Sequence, residues 1–132
     1  MDFIRELREN EGDIDVKFSC EGFVGKYEWK VRESFYFCRA GINIGSILID
    51  GSISACPNID RSFSQGNIYT DNFNDVWEQR FNSFRDRNWM RVGQCKDCRR
   101  FKDCQGNGFH NWHGSKQNVL VCHRSKIENA HY

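Results

Sequence analysis

The stretch "CKDCRRFKDC", Cys95 to Cys104, decides how this sequence is read. It places three cysteines at C-x2-C-x5-C in a run that is otherwise mostly charged. Thiols this close together in so polar a segment are spaced for ligation rather than for packing. A C-x2-C pair puts two sulfurs on one tight turn, and a third cysteine five residues on can close back to the same centre. Four ligands complete either a tetrahedral zinc or a four-iron cluster, and the pair alone does not separate the two, because both take thiolates. Cys122, eighteen residues after Cys104, is the natural fourth ligand, returned to the site by a short strand over "NVLV", 118–121. Zinc held by Cys95, Cys98, Cys104 and His110 is the alternative, although His110 and His113 are separated by only two residues, which departs from common zinc spacings.

Bulk properties narrow the setting. A chain of 132 residues fits one domain, or one domain and a fragment of another. With 19 basic and 18 acidic side chains the formal charge is +1, so nothing demands a polyanionic partner. One Pro and eleven Gly fit ordered turns, and so lean a core benefits from a staple such as a metal. The opening "MDFIRELREN" is charged from residue 2 and lacks the apolar run of a signal peptide, and no stretch is apolar enough to span a membrane. The expectation is a cytoplasmic chain with reduced thiols. Seven cysteines, an odd number with three in ten residues, then point to metal or cluster ligation rather than disulfides.

Elsewhere the pattern predicts an α+β fold. Phe3, Ile4 and Leu7 share one face of a helix over 2–9, and Ile14, Val16 and Phe18 alternate as a strand. "YEWKVRESFYFC", 27–38, reads as strand or irregular chain. In "GINIGSILIDGSISACP" the Asp50-Gly51 pair between two β-rich runs predicts a hairpin, followed by Cys56 and Pro57. Asp50 and Asp60 flank that hairpin in turn-capping positions. Phe73, Val76, Trp77, Phe81 and Phe84 predict a helix over 73–86 with one buried face, capped by Asp71 or Asn72. Cys38 and Cys56 bracket the hairpin and could be folded together as half of a second site; Cys20 has no evident role.

Taken in order, the cysteines resemble those of the SPASM domain, the C-terminal auxiliary-cluster domain of certain radical S-adenosylmethionine (SAM) enzymes. Cys38 matches the family's first cysteine, "GSISAC" (Gly51–Cys56) its G-x4-C, Cys95, Cys98 and Cys104 its C-x2-C-x5-C, and Cys122 its last. "GNIYTDNFNDVWEQ" resembles the segment between the halves, and the likeness covers about residues 36–124. The resemblance implies a [4Fe-4S] cluster on Cys95, Cys98, Cys104 and Cys122. A further family cysteine would fall at Gly108, so a second site retains Cys38 and Cys56, with His110, Cys20 or an exogenous group to complete it by cluster or by zinc.

The resemblance also implies a division of the chain. Residues 1–34 look like the last α/β element of a partial barrel, 35–124 like the cluster domain, and 125–132 like a tail. No C-x3-C-x2-C occurs, so the SAM-binding core would belong to an upstream barrel of a parent chain, acting on a peptide or protein. Auxiliary clusters there serve electron transfer or substrate positioning, and Arg99, Arg100 and Lys102 would ease reduction. The chain alone would not cleave SAM. Two other classes stay open. One is a zinc module using Trp89, Arg91, Lys96 and the Arg99–Lys102 run against nucleic acid or protein. The other is a small stand-alone electron carrier.

Overall fold

The computed structural model describes residues 1–10, 16, 18, 20–114 and 118–130. Helix α1 (Asp2–Glu9) forms where the periodicity predicts it, with Arg5 reaching Asp2 and Glu9 along one side. It buries no residue, and Phe3 stays 70% exposed. The strand expected at 14–18 falls largely outside the described residues; Val16 and Phe18, which are described, carry no strand.

The segment 27–38 corrects the sequence reading, because a 3-10 turn (Gly25–Tyr27) runs into helix α2 (Glu28–Val31). The cause is one buried carboxylate. Glu28 is 1% exposed and accepts hydrogen bonds from the Val24 amide at 2.7 Å and the Tyr36 amide at 2.9 Å. Arg32 Nη1 adds a bidentate contact at 2.7 and 2.8 Å. The bond to Val24 satisfies a free N–H at the start of the turn, as a reciprocal N-terminal cap does, and the bond to Tyr36 reverses the chain. A pattern of aromatic and β-branched residues does not reveal such a device.

The sheet is small and antiparallel, with order β1-β2-β3: β1 (Ser46–Ile47), β2 (Ser52–Ser54) and β3 (Gly66–Asn67). Ser46 pairs with Ser54 and Ile47 with Ile53; Ser52 and Ile53 then pair with Asn67 and Gly66. The predicted hairpin is present, but Asp50-Gly51 is not its two-residue loop. The Gly51 amide bonds to the Leu48 carbonyl at 2.9 Å, so Ile49 and Asp50 are the central residues of the turn. Gly51 follows with φ +80°, the left-handed position that favours glycine in three-residue hairpin loops. Asp71 secures β3, accepting from the Asn67 amide at 2.9 Å and from Arg80 at 2.8 Å.

The helix predicted over 73–86 is two helices, α3 (Phe73–Arg80) and α4 (Asn82–Arg85), broken at Phe81. Asn72 is the cap, accepting from the Asn74 and Asp75 amides. The break is stabilised by Arg85, whose guanidinium donates to the Trp77 carbonyl at 2.6 Å and the Glu78 carbonyl at 3.4 Å near the end of α3. Val76, Phe81 and Phe84 are buried as expected. Phe84 stacks between Phe81 (centroids 5.2 Å) and Phe109 (4.6 Å), in a core with Ile53, Met90 and Trp112. Cys38, Cys56, Cys98 and Cys122 all pack against the edge of this core.

One further correction concerns the C-terminal part. "NVLV" is not a strand; its only ladder contact among the described residues is a bridge between Trp112 and Val119, with the Leu120 amide on the Asn111 carbonyl at 2.7 Å. Where the sequence suggested a tail, helix α6 (His123–Asn129) forms immediately after Cys122. Among the described residues no helix is long and apolar enough to cross a membrane.

Candidate metal centre

Each of the four C-terminal cysteines is delivered by a different local device. Cys95 closes a 3-10 turn (Gly93–Cys95), and Cys98 follows one turn later with its amide on the Cys95 carbonyl. Cys104 is the last residue of α5 (Phe101–Cys104). Beyond it Gln105, Gly106 and Asn107 all have positive φ, at 45°, 80° and 73°. Such a left-handed run is costly for side-chain-bearing residues and needs outside support. Here it wraps the chain back on Cys104, with the Asn107 amide donating to the Cys104 carbonyl at 2.9 Å and the Gly106 and Asn107 amides close enough to the thiol to favour its ionised form. Cys122 is the N-cap residue of α6.

These four side chains line one cavity of about 180 Å³, walled on its apolar sides by Phe23, Phe101 and Val119. Their mutual influence registers in acidity. Burial pushes the Cys95 thiol up to about 11, and the neighbouring Cys104, Cys122 and Cys98 push in the same direction. Burial also raises Cys104, partly offset by the two amides that face it. Groups that oppose one another's ionisation in this way are suited to sharing a cation, which removes the repulsion.

The cation nearest the thiols is not one expected from the sequence. Arg124 Nη2 lies 3.8 Å from Cys98 Sγ, and its guanidinium is steadied by Glu128. Arg100 is instead engaged with Asp103 at 3.1 Å and lies over the Phe23 ring, while Arg99 and Lys102 are exposed. Arg124 lies outside the cysteine-rich stretch, and α6 brings it to the thiols.

A second cavity, of about 220 Å³, gathers Cys38, Cys56, Cys20 and His110, with Tyr36 in its wall. Thus Cys38 and Cys56 are brought together, as their positions around the hairpin suggested. Cys20, for which the sequence offered no role, faces the same space. His113 lines neither cavity and pairs with Asp60 at 3.1 Å. Asp50 and Asp60 serve turns, accepting from the Ser52 amide at 3.1 Å and the Ser62 amide at 2.9 Å.

All seven cysteines are free thiols. Among the described residues no group of three or more His, Cys, Asp or Glu side chains converges on a point that would hold one metal ion. A single tetrahedral zinc draws its sulfurs to roughly 3.8 Å of one another, from a Zn–S length of about 2.3 Å. Thiolates around such a cavity can serve either centre, a zinc that draws them together or an iron–sulfur cluster whose iron atoms each take one thiolate.

No curated protein and no solved structure matches the chain significantly. A family description does match. It takes in Cys38, Cys56, Cys95 and Cys98 and stops before Cys104 and Cys122. Residues 38–99 match the family model of the SPASM domain, an iron–sulfur cluster-binding domain.

Proposed function

We propose that Cys95, Cys98, Cys104 and Cys122 hold an auxiliary [4Fe-4S] cluster, and that the chain is the cluster-bearing part of a radical SAM enzyme acting on a peptide or protein. The observation that carries the reading is the convergence of these four thiols on one cavity, two of them within the matched family span. Such a cluster supplies one-electron transfer to or from a neighbouring reactant.

The chain's own residues set the conditions for that role. The Gly106 and Asn107 amides favour the ionised form of Cys104, and the Arg124 guanidinium lies against Cys98. Both favour added negative charge at the thiolates and so make reduction easier. Phe23, Phe101 and Val119 limit water at the apolar wall. Helix α1, with its uncovered Phe3 and Leu7, is the expected point of contact with an upstream barrel.

Anaerobic iron, sulfide and zinc analysis of the 132-residue chain tests the reading. Iron and sulfide in equal amounts, lowered by about four of each per chain on replacing Cys95 and Cys98 by Ser, support it. Stoichiometric zinc without sulfide overturns it.

A further inference from the structure

The cavity of the four C-terminal cysteines shares a wall with a broad surface groove of about 610 Å³. Gln94, Cys98 and Arg124 line both. Asp97, Arg99 and Arg100 complete the groove on its outer side. Cys95 is buried, whereas Cys98 is only half-buried. Cys98 is therefore the cysteine that stands between the cavity and open surface.

The groove is cationic. Arg99, Arg100 and Arg124 line it against the single carboxylate of Asp97. Arg100 is steadied by Asp103 at 3.1 Å and Arg124 by Glu128. Arg99 is exposed and makes no ion pair among the described residues. Lys96 and Lys102, both exposed, stand on the flanking turns. Set against Asp97, Asp103 and Glu128, these five cations give the face an excess of positive charge, on a chain whose formal charge is only +1. Positive charge is thus gathered where the cavity comes nearest the surface.

The chemistry of the wall says what such a face receives. Guanidinium groups recognise carboxylates, singly or in bidentate pairs. Single-stranded nucleic acid also asks for aromatic side chains on which bases stack, and none lines this groove among the described residues. Encounters between redox proteins bury little area and are assembled by complementary charge, so an open polar groove is suited to one. The other sides of the cavity are covered by Phe23, Phe101 and Val119, which leaves the Cys98 side for electron exchange.

Resting on the iron–sulfur reading above, we infer that this groove is the docking face for an acidic one-electron carrier protein, whose surface carboxylates meet Arg99, Arg100 and Arg124 and bring its flavin or iron–sulfur centre up to Cys98. One electron passes between that centre and the cluster. One centre is oxidised as the other is reduced, and no bond forms or breaks.

The test follows, by anaerobic stopped-flow, reduction of the cluster in the reconstituted full chain by an acidic flavodoxin in its hydroquinone form. Wild type is compared with R99E, R99K and R61E; Arg61 pairs with Asp50 beside the hairpin and does not line the groove. R99E should lower the second-order rate constant about tenfold at low ionic strength, and the difference should vanish in about 1 M salt. R99K and R61E should stay within about twofold of wild type. The methyl viologen radical cation, which carries no acidic surface, should reduce R99E at least as fast as wild type. Equal flavodoxin rate constants for R99E and wild type overturn the docking face. A loss shared by methyl viologen also overturns it, because the variant has then altered the cluster and not the encounter. RNA binding that R99E abolishes, with the flavodoxin rate unchanged, assigns the groove to nucleic acid instead. A wild-type chain that takes up no iron and sulfide is the distinct failure of the iron–sulfur reading, and this inference falls with it.

Discussion

Asn107 and Phe23, 84 residues apart in sequence, are joined by a 2.9 Å hydrogen bond from the Phe23 amide to Asn107 Oδ1. Asn107 Nδ2 donates in turn to the Val121 carbonyl at 3.1 Å, immediately before Cys122. One buried side chain thus ties the segment after Cys20, the loop after Cys104 and the approach to Cys122. It also sustains a backbone at φ 73°, a conformation Asn tolerates better than most residues.

Replacing Asn107 by Ala removes both bonds and leaves the Phe23 amide unpaired. The expected cost is about 1–3 kcal/mol from the unpaired amide, with a further backbone term at positive φ. N107G should recover only the backbone term, leaving it more stable than N107A and less stable than wild type. Urea denaturation of the cluster-loaded chain reads this order. An N107A midpoint equal to wild type would refute it.

Arg124 gives a second prediction. Its guanidinium is the cation in contact with Cys98, whereas Arg99 is exposed on the same turn. Removing a partly solvated charge changes an interaction of about 0.2–1 kcal/mol, which corresponds to about 10–40 mV for one electron. R124Q should therefore lower the cluster's midpoint potential by that order, with Glu128 left uncompensated adding to the shift. R99Q should move it less, and R124K should retain most of the wild-type value. Equal potentials for R124Q and wild type in protein-film voltammetry would remove Arg124 from any tuning role.

Several features were legible because they are local. The C-x2-C-x5-C spacing, the hairpin and the aromatic face of α3 and α4 each follow from residues close in sequence. Order alone grouped Cys122 with Cys95, Cys98 and Cys104, whose cavity it lines, although a bridge and a helix carry it where a strand was expected. The rest depends on single buried polar contacts, some local and some long-range. Glu28 turns a strand-like segment helical through bonds to Val24, Arg32 and Tyr36. Arg87 reaches Cys38 across 49 residues, and Asn107 reaches Phe23 across 84. Hydropathy patterns report which face is buried; they carry no signal for a buried polar group that finds its partner far along the chain. Cys20 was equally obscure, since no spacing relates it to Cys38.

The acidity of Cys95 supplies the last prediction. Burial and three neighbouring thiols push its pKa up to about 11, so its reactive thiolate is scarce near neutrality. In the anaerobic metal-free chain, alkylation of Cys95 should be the slowest of the four C-terminal cysteines, and exposed Cys20 should react early. The sign in pH is fixed by the direction of the shift. Thiolate at Cys95 should rise about tenfold per pH unit throughout pH 7 to 9.5, whereas an ordinary thiol begins to level off near about 8.5. The same shift means the folded metal-free state retains this proton longer than the unfolded chain, so its contribution to stability is intact below the unfolded-state value and is lost as pH rises toward 11. Peptide-mapped iodoacetamide labelling resolves each cysteine. If Cys95 levels off with the ordinary thiols, or all seven react alike, the buried site is not preformed without its metal.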